Sequence, residues 1–114
     1  MAITWKNVTK EHILLAIKEF ENSKEPFPPA RNTFLLHKDK EYPAKHIRGL
    51  AYKIANKKEI SKEDYGGGEE TVRFFDQRGF NTRYRGELII SVLNRRSRFS
   101  YDEPNQIKIN KKNP

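Results

Sequence analysis

The chain contains no cysteine and only three histidines among its 114 residues. The absence of cysteine excludes disulfide bonds and thiolate metal sites. No two of the histidines, His12, His37 and His46, fall on one predicted helix at a spacing of three or four residues, so a zinc site would require a tertiary coincidence. We therefore expect neither a metal ion nor a cofactor.

Apolar residues are also scarce, at 35% of the chain against 33% charged residues. No apolar run approaches the ~20 residues that span a bilayer, and the N-terminus lacks the apolar segment of a signal peptide. We therefore expect no membrane partner and a cytoplasmic location. The seven Phe and five Tyr still permit one compact aromatic core, which argues against wholesale disorder.

Candidate catalytic groups are missing as well. The adjacent acids Glu63-Asp64 and Asp102-Glu103 would point in different directions in a helix or strand, and neither pair has a matching base. The sequence also lacks a histidine cluster of the HNH nuclease type. We therefore predict that the chain is not an enzyme.

Three segments have the apolar period of an amphipathic helix. They are residues 10–22, 44–57 and 69–77. Thr9 is a suitable N-cap for the first helix, and Gly79 is a suitable stop after the third. Strands are predicted at 33–37, 41–43, 81–85 and 88–93, the last as a continuous buried run, with a possible edge strand at 107–109. The expected fold is α+β, with three short helices packed on a small, mainly antiparallel sheet.

The triple glycine Gly66–Gly68 stands directly before the third predicted helix. One interpretation is a tight turn with positive φ, which glycine adopts without strain. Another is a cradle of backbone amides for a phosphate group. Glu69 and Glu70 follow at once and would repel an anion, so the sequence favours the turn.

Positive charge, formally +8, is concentrated in two segments. Residues 31–62 hold nine basic and three acidic side chains, and residues 78–98 hold six arginines and one glutamate. A basic balance of this size favours polyanionic partners, because bound phosphates release counterions. We interpret nine residues as contacts to nucleic acid, most simply duplex DNA: Lys45, Arg48, Tyr52, Lys53, Arg83, Arg85, Arg95, Arg96 and Arg98.

Several spaced motifs agree with one known family. They are Leu36-His37-Lys38-Asp39, Tyr42-Pro43, Gly49-Leu50-Ala51, Tyr65-Gly66-Gly67-Gly68 and Arg78-Gly79-Phe80. On these motifs, residues 1–84 resemble the N-terminal head domain of ScoMcrA-type modification-dependent HNH restriction endonucleases. The resemblance implies an accessory module in restriction or defence, with a downstream nuclease domain as a possible partner. Residues 85–114 lie outside it, as a C-terminal strand extension and tail that could link to a missing domain.

Two functions remain open. The first is a non-catalytic, nucleic-acid-binding accessory module that contacts phosphates through a basic helix face and an Arg-rich C-terminal segment. The second is a protein-interaction or oligomerisation module of a multidomain nuclease. In the second case Tyr52, Phe27 and Phe99 would contribute to an exposed patch, and the basic charge would meet an acidic partner.

Overall fold

The first helix, α1 (Lys10–Asn22), begins where the sequence predicts. This computed structural model describes residues 3–23 and 30–94. The backbone N–H of Thr9 donates to Nδ1 of His12 at 3.0 Å and so satisfies one of the donors at the helix start. Ile13 and Ile17 are buried against the second helix, because they share the apolar face of α1.

A hairpin and the second helix follow without a break. Strand β1 (Thr33–His37) pairs antiparallel with β2 (Lys40–Pro43) through Lys38 and Asp39, which both have positive φ and form a two-residue turn. Helix α2 (Ala44–Asn56) starts directly after Pro43. This tight succession fixes the start of α2 beside the edge of the sheet.

The second half of the described chain completes the sheet. A short 3₁₀ helix (Lys62–Asp64) leads to α3 (Gly68–Asp76), and β3 (Asn81–Tyr84) pairs antiparallel with both β1 and β4 (Glu87–Ile89). The strand order is β2-β1-β3-β4. The predicted α+β fold with three helices of two turns or more on an antiparallel sheet is confirmed. The possible strand at 107–109 lies outside the described residues.

The strand predicted over residues 88–93 is wrong in both its length and its burial. Strand β4 ends at Ile89, and residues 92–94 are helical. Leu88 is 53% exposed, because β4 is an edge strand with one face to solvent. Ser91 is buried instead, and its Oγ donates to the carbonyl oxygen of Asp76 at 2.6 Å and accepts from the N–H of Leu93. These side-chain bonds cap the helical turn and end the strand.

The extension after residue 84 is attached to the rest of the fold. Arg85 and Gly86 both have positive φ and form the two-residue turn between β3 and β4. The N–H of Ser91 donates to Oδ1 of Asn81 at 2.8 Å, and the N–H of Val92 donates to Oδ1 of Asp76. The boundary predicted at residue 84 stays a prediction. None of the helices in the described chain has the length and apolar character needed to cross a membrane.

Tyr42 gives the fold a pH-dependent contact between β2 and α1. Its hydroxyl donates to the carboxylate of Glu21, and burial together with this bond raises the pKa of Tyr42 to about 12. The bond also lowers the pKa of the Glu21 carboxyl. The stability that Tyr42 contributes is therefore complete below its unfolded pKa of 10 and is lost as the pH rises towards 12.

We expect Tyr42→Phe to remove part of this pH dependence. The difference in unfolding free energy between wild type and Tyr42→Phe should shrink between pH 10 and 12, and again as the pH falls below the unfolded pKa of Glu21, 4.5. Urea unfolding of both proteins at pH 8, 11 and 3.5 measures this difference in unfolding free energy. Parallel pH profiles for the two proteins would contradict the assigned contact.

Candidate functional site

A cavity of about 390 Å³ lies between the segment before β1, the start of α2 and the start of α3. Three cationic residues line it, Arg31, Lys45 and Lys62, together with the bare backbone of Gly67 and Gly68. We call this the basic cavity. Among the described residues, no Asp or Glu lines the basic cavity. The cavity therefore brings together positive charge from three separate parts of the chain.

Lys45 is held in the wall of the basic cavity. Its Nζ donates to the carbonyl oxygen of Lys62 at 2.8 Å and lies 5.1 Å from the ring centre of Tyr65. The hydroxyl of Tyr65 in turn donates to the carbonyl oxygen of Lys45 at 3.1 Å. Lys45 therefore lines the cavity with a backbone carbonyl and an aromatic ring as its contacts, and it forms no ion pair with a carboxylate of the described residues.

The two other cations stand at the rim. Arg31 and Lys62 are exposed, and neither takes part in an ion pair within residues 3–23 and 30–94. His46, also in the lining, has its pKa lowered by burial first and by the charge of Lys62 second. The imidazole is therefore neutral at neutral pH, and the charge of the cavity comes from the lysines and the arginine.

The glycine turn has the positive φ of the first interpretation, and the second, a phosphate cradle, stays a prediction. Gly68 has φ of +37°, so the positive φ expected of this turn is present. Gly67 precedes α3 as its N-cap and, like Gly68, lies in the cavity lining. No side chain caps the helix at this position. Glu70 does not point its charge into the cavity, since Oε1 accepts from the N–H of Gly66 and Oε2 pairs with Arg48.

Arg48 lies in the interior, which corrects the expectation that it belongs to an exposed basic face. The residue is 3% exposed, and its guanidinium carbon lies 3.9 Å from the ring centre of Trp5. Nη1 donates to the carbonyl oxygen of Gly66 and to Oγ1 of Thr71, and Nη2 pairs with Glu70 at 3.0 Å. Burial lowers the pKa of Arg48, and Glu70 opposes that shift. These contacts tie α2 to α3.

Tyr52 is also buried, at 3% exposed, so its expected place on the same exposed face is wrong. Its ring packs against Trp5 with the centres 4.9 Å apart. Arg78 belongs to the second basic segment of the sequence, and it too makes its contacts within the protein. Its guanidinium donates to the carbonyl oxygens of Val8, Trp5 and Phe74 at 2.6 to 2.8 Å.

The remaining described residues of the predicted set are dispersed. Lys53, near the end of α2, pairs with Glu59 at 3.6 Å, and Arg83 pairs with Glu41 at 3.0 Å. Arg85 is exposed in the β3–β4 turn, and its N–H donates to the carbonyl oxygen of Asn32 at 2.8 Å. Asn32 lines the basic cavity, so this backbone bond joins the β3–β4 turn to the cavity lining.

Arg95, Arg96 and Arg98 lie outside the described residues, as do Phe27 and Phe99. Sequence reasoning missed the contributions of Arg31, Lys62 and His46 to a common cavity. One local signal was available: Lys45 and His46 occupy the first turn of α2, where the helix dipole favours acidic side chains and where this helix has none. Among the described residues, no group of three or more His, Asp or Glu side chains could hold a metal ion.

Comparison with known proteins adds the family. The family model for the ScoMcrA-like N-terminal head domain matches residues 6–84. None of the curated proteins and none of the solved structures gives a significant match. The matched segment runs from the turn before α1 to the end of β3 and includes Lys45, Lys62 and the glycine turn of the basic cavity. Because it covers more than half of the chain, the protein belongs to the family of ScoMcrA-like N-terminal head domains, which is associated with restriction.

Proposed function

We propose that the chain is a non-catalytic accessory module of a restriction or defence system that binds nucleic acid, most simply duplex DNA, in the cytoplasm. In a longer protein its partner would be a downstream nuclease domain. The observation that carries the proposal is the convergence of Arg31, Lys45 and Lys62 on one cavity without a lining carboxylate. A surface with uncompensated cations attracts phosphate, and the release of counterions drives the association.

The neighbouring surface supports this assignment. Arg85 is joined to the cavity lining through Asn32, and its guanidinium carbon lies 5.1 Å from the ring centre of Tyr84. The guanidinium group presents planar donors that suit contact with phosphate oxygens. Lys53 and Arg83 contribute less to phosphate attraction than the cations of the cavity, because each is paired with a carboxylate. Arg95, Arg96 and Arg98 belong to the proposal through their charge alone.

Charge reversal at the cavity rim tests the proposal. We expect the 114-residue chain to bind a DNA duplex with an affinity that falls steeply with salt, and Arg31→Glu/Lys62→Glu to weaken binding by at least about tenfold at low salt. The double variant should also make the slope of log K against log salt shallower by about 2, because each phosphate contact contributes about 0.9. Both side chains are exposed, so the fold should be retained.

The matched control is Lys6→Glu/Lys10→Glu, which changes the net charge equally. Lys6 lies in the turn before α1 and Lys10 is the first residue of α1; both are exposed, and neither lines the basic cavity. Fluorescence anisotropy with a labelled duplex over a salt series measures both affinity and slope. Equal losses for the two double variants would show that net charge alone is responsible, and the absence of binding by wild type at low salt would refute the proposal.

One observation favours the alternative, a protein-interaction or oligomerisation module. Phe34, Arg83 and Leu88 are cross-strand neighbours in a row on the sheet, and Leu88 is 53% exposed. An exposed apolar side chain on an edge strand can contribute to association with another chain. If wild type fails to bind duplex and sediments as a dimer, this alternative replaces the proposal. The patch predicted from Tyr52, Phe27 and Phe99 does not support it, since Tyr52 is buried and the other two lie outside the described residues.

A further inference from the structure

We propose that the basic cavity is a discrete site for the phosphate monoester of a nucleotide, either a free nucleoside 5′-monophosphate or the 5′-phosphate at the end of a strand. The inference deepens the proposed function by naming the chemical group that one part of the surface accepts. It rests on the cavity, its cations and the absence of lining carboxylates among the described residues.

The size of the cavity favours more than an inorganic ion. Its volume of about 390 Å³ lies within the range of about 300–1,000 Å³ that small-molecule sites occupy. A phosphate group fills only a fraction of such a space, so the remainder can take the attached sugar and part of the base. Thr33 and Pro43 line the same space: the Thr33 hydroxyl donates to Oδ1 of Asn32 and offers a ligand only its acceptor lone pairs, and Pro43 offers an apolar ring. The lining therefore combines anion-binding, polar and apolar groups.

The charge of the cavity matches a monoester better than a backbone diester. A phosphate monoester carries a charge of about −1.5 to −2 at pH 7, whereas a diester in the backbone carries −1. Arg31, Lys45 and Lys62 together exceed the charge of one monoester, and His46 is neutral there because burial and Lys62 lower its pKa. A dianion at the cavity would also raise the pKa of His46 and so favour its protonation.

Two of the cations come from different segments of the chain. Lys45 is oriented by its bond to the Lys62 carbonyl, and its Cδ lies 3.8 Å from where a Cβ on Gly67 would stand. Arg31 lies in the segment before β1 and lines the same cavity. Charges that line one cavity can contact a single phosphate group together, whereas charges along a flat surface contact successive phosphates. This arrangement favours a single, chain-terminal or free phosphate.

The helix starts add to the field at the same place. The lining includes Lys45 and His46 from the first turn of α2 and Gly68 from the first residue of α3. The N-terminal ends of two helices therefore border a cavity that already contains the three cations. Their contribution strengthens the attraction of an anion, but the cations and the volume of the cavity define the site.

Titrations with the full chain test the inference. The ligands are inorganic phosphate, dAMP, deoxyadenosine, and a 12-mer duplex with and without 5′-phosphates. We expect dAMP to bind, to shift the amide NMR signals of His46, Gly67 and Gly68, and to bind at least about tenfold more tightly than deoxyadenosine, because only the monoester makes charge-assisted contacts. We also expect Arg31→Gln/Lys62→Gln to weaken dAMP binding by about tenfold or more and the distant Lys6→Gln to leave it unchanged.

The duplex titrations and the dAMP titration together distinguish a strand end from a free nucleotide as the source of the phosphate. They also distinguish failure of this inference from failure of the proposed nucleic-acid binding. Tighter binding of the 5′-phosphorylated duplex than of the 5′-hydroxyl duplex supports a strand end, and dAMP binding without duplex binding supports a free nucleotide while refuting the proposed function. Equal affinity for both duplexes with no response to dAMP overturns this inference and leaves the proposed function standing. Inorganic phosphate binding as tightly as dAMP overturns the assignment of a nucleotide.

Discussion

Arg48→Ala is expected to lower the free energy of unfolding by about 3 kcal/mol, the low end of the range for breaking a buried ion pair. The guanidinium is buried between Trp5 and Phe74. It donates hydrogen bonds to the carbonyl oxygen of Gly66 and the hydroxyl of Thr71. Its removal leaves those acceptors with fewer donors and opens a void between α2 and α3. The low end applies because the partner, Glu70, is half-exposed and water can solvate it.

Urea unfolding monitored by Trp5 fluorescence measures this effect. Arg73→Ala is the matched control, since it removes the same charge from an exposed position on α3 and is expected to change stability by less than about 0.5 kcal/mol. Arg48→Met keeps the packing stem without the hydrogen bonds and should fall between the two. If Arg48→Ala were as stable as Arg73→Ala, the interior role of this arginine would be refuted.

A second large effect is expected from Gly49→Ala. Gly49 lies inside α2, where alanine normally gains about 1 kcal/mol over glycine. Here a Cβ would overlap the hydroxyl oxygen of Tyr65. The ring of Tyr65 is buried, packs 5.3 Å from Trp5 and donates to the carbonyl oxygen of Lys45, so it cannot move without loss. Because overpacking costs typically about 1–3 kcal/mol, we expect a net destabilisation of about 1–2 kcal/mol despite the helix propensity.

A double-mutant cycle with Tyr65→Phe separates this clash from other causes. Without the hydroxyl, the nearest atom to the new Cβ is Cζ of the ring at 3.4 Å, a distance that needs little adjustment. Tyr65→Phe alone should cost about 1 kcal/mol for the lost hydrogen bond. In the Tyr65→Phe background, Gly49→Ala should therefore be neutral or stabilising. An equal cost of Gly49→Ala in both backgrounds would contradict the steric explanation.

The elements of this fold could largely be predicted from the sequence because their signals are local. The apolar stripe through Ile47 and Ala51 identifies α2, and Pro43 marks where it begins. The strand at residues 88–93 failed for a reason that is not local. Ser91 interrupts the apolar run, and its partners are Asp76 and Asn81, which lie in α3 and β3. The mainly apolar run does not show that its one serine forms hydrogen bonds with residues that are distant in sequence.

The candidate site was less predictable for a related reason. On a helical wheel Arg48 is an ordinary charged residue beside the core stripe, and nothing in its neighbourhood of the sequence indicates burial. Trp5, Gly66 and Glu70, which surround it, come from segments that are distant in sequence. Arg31 and Lys62 are part of no recognisable sequence motif. They line one cavity only because the segment before the hairpin and the 3₁₀ helix both lie next to the start of α2.

By itself, the amino-acid sequence determined the family motifs, the helices, the hairpin and the excess of positive charge, because each depends on residues close together in the chain. Only the tertiary structure decided how that charge is used. It uses the guanidiniums of the buried Arg48 and the half-buried Arg78 to contact carbonyl oxygens and aromatic rings, and it leaves Arg31 and Lys62 exposed at a common cavity. A long cationic side chain is equally suited to interior hydrogen bonds and to solvent, so its role depends on acceptors that other segments bring to it.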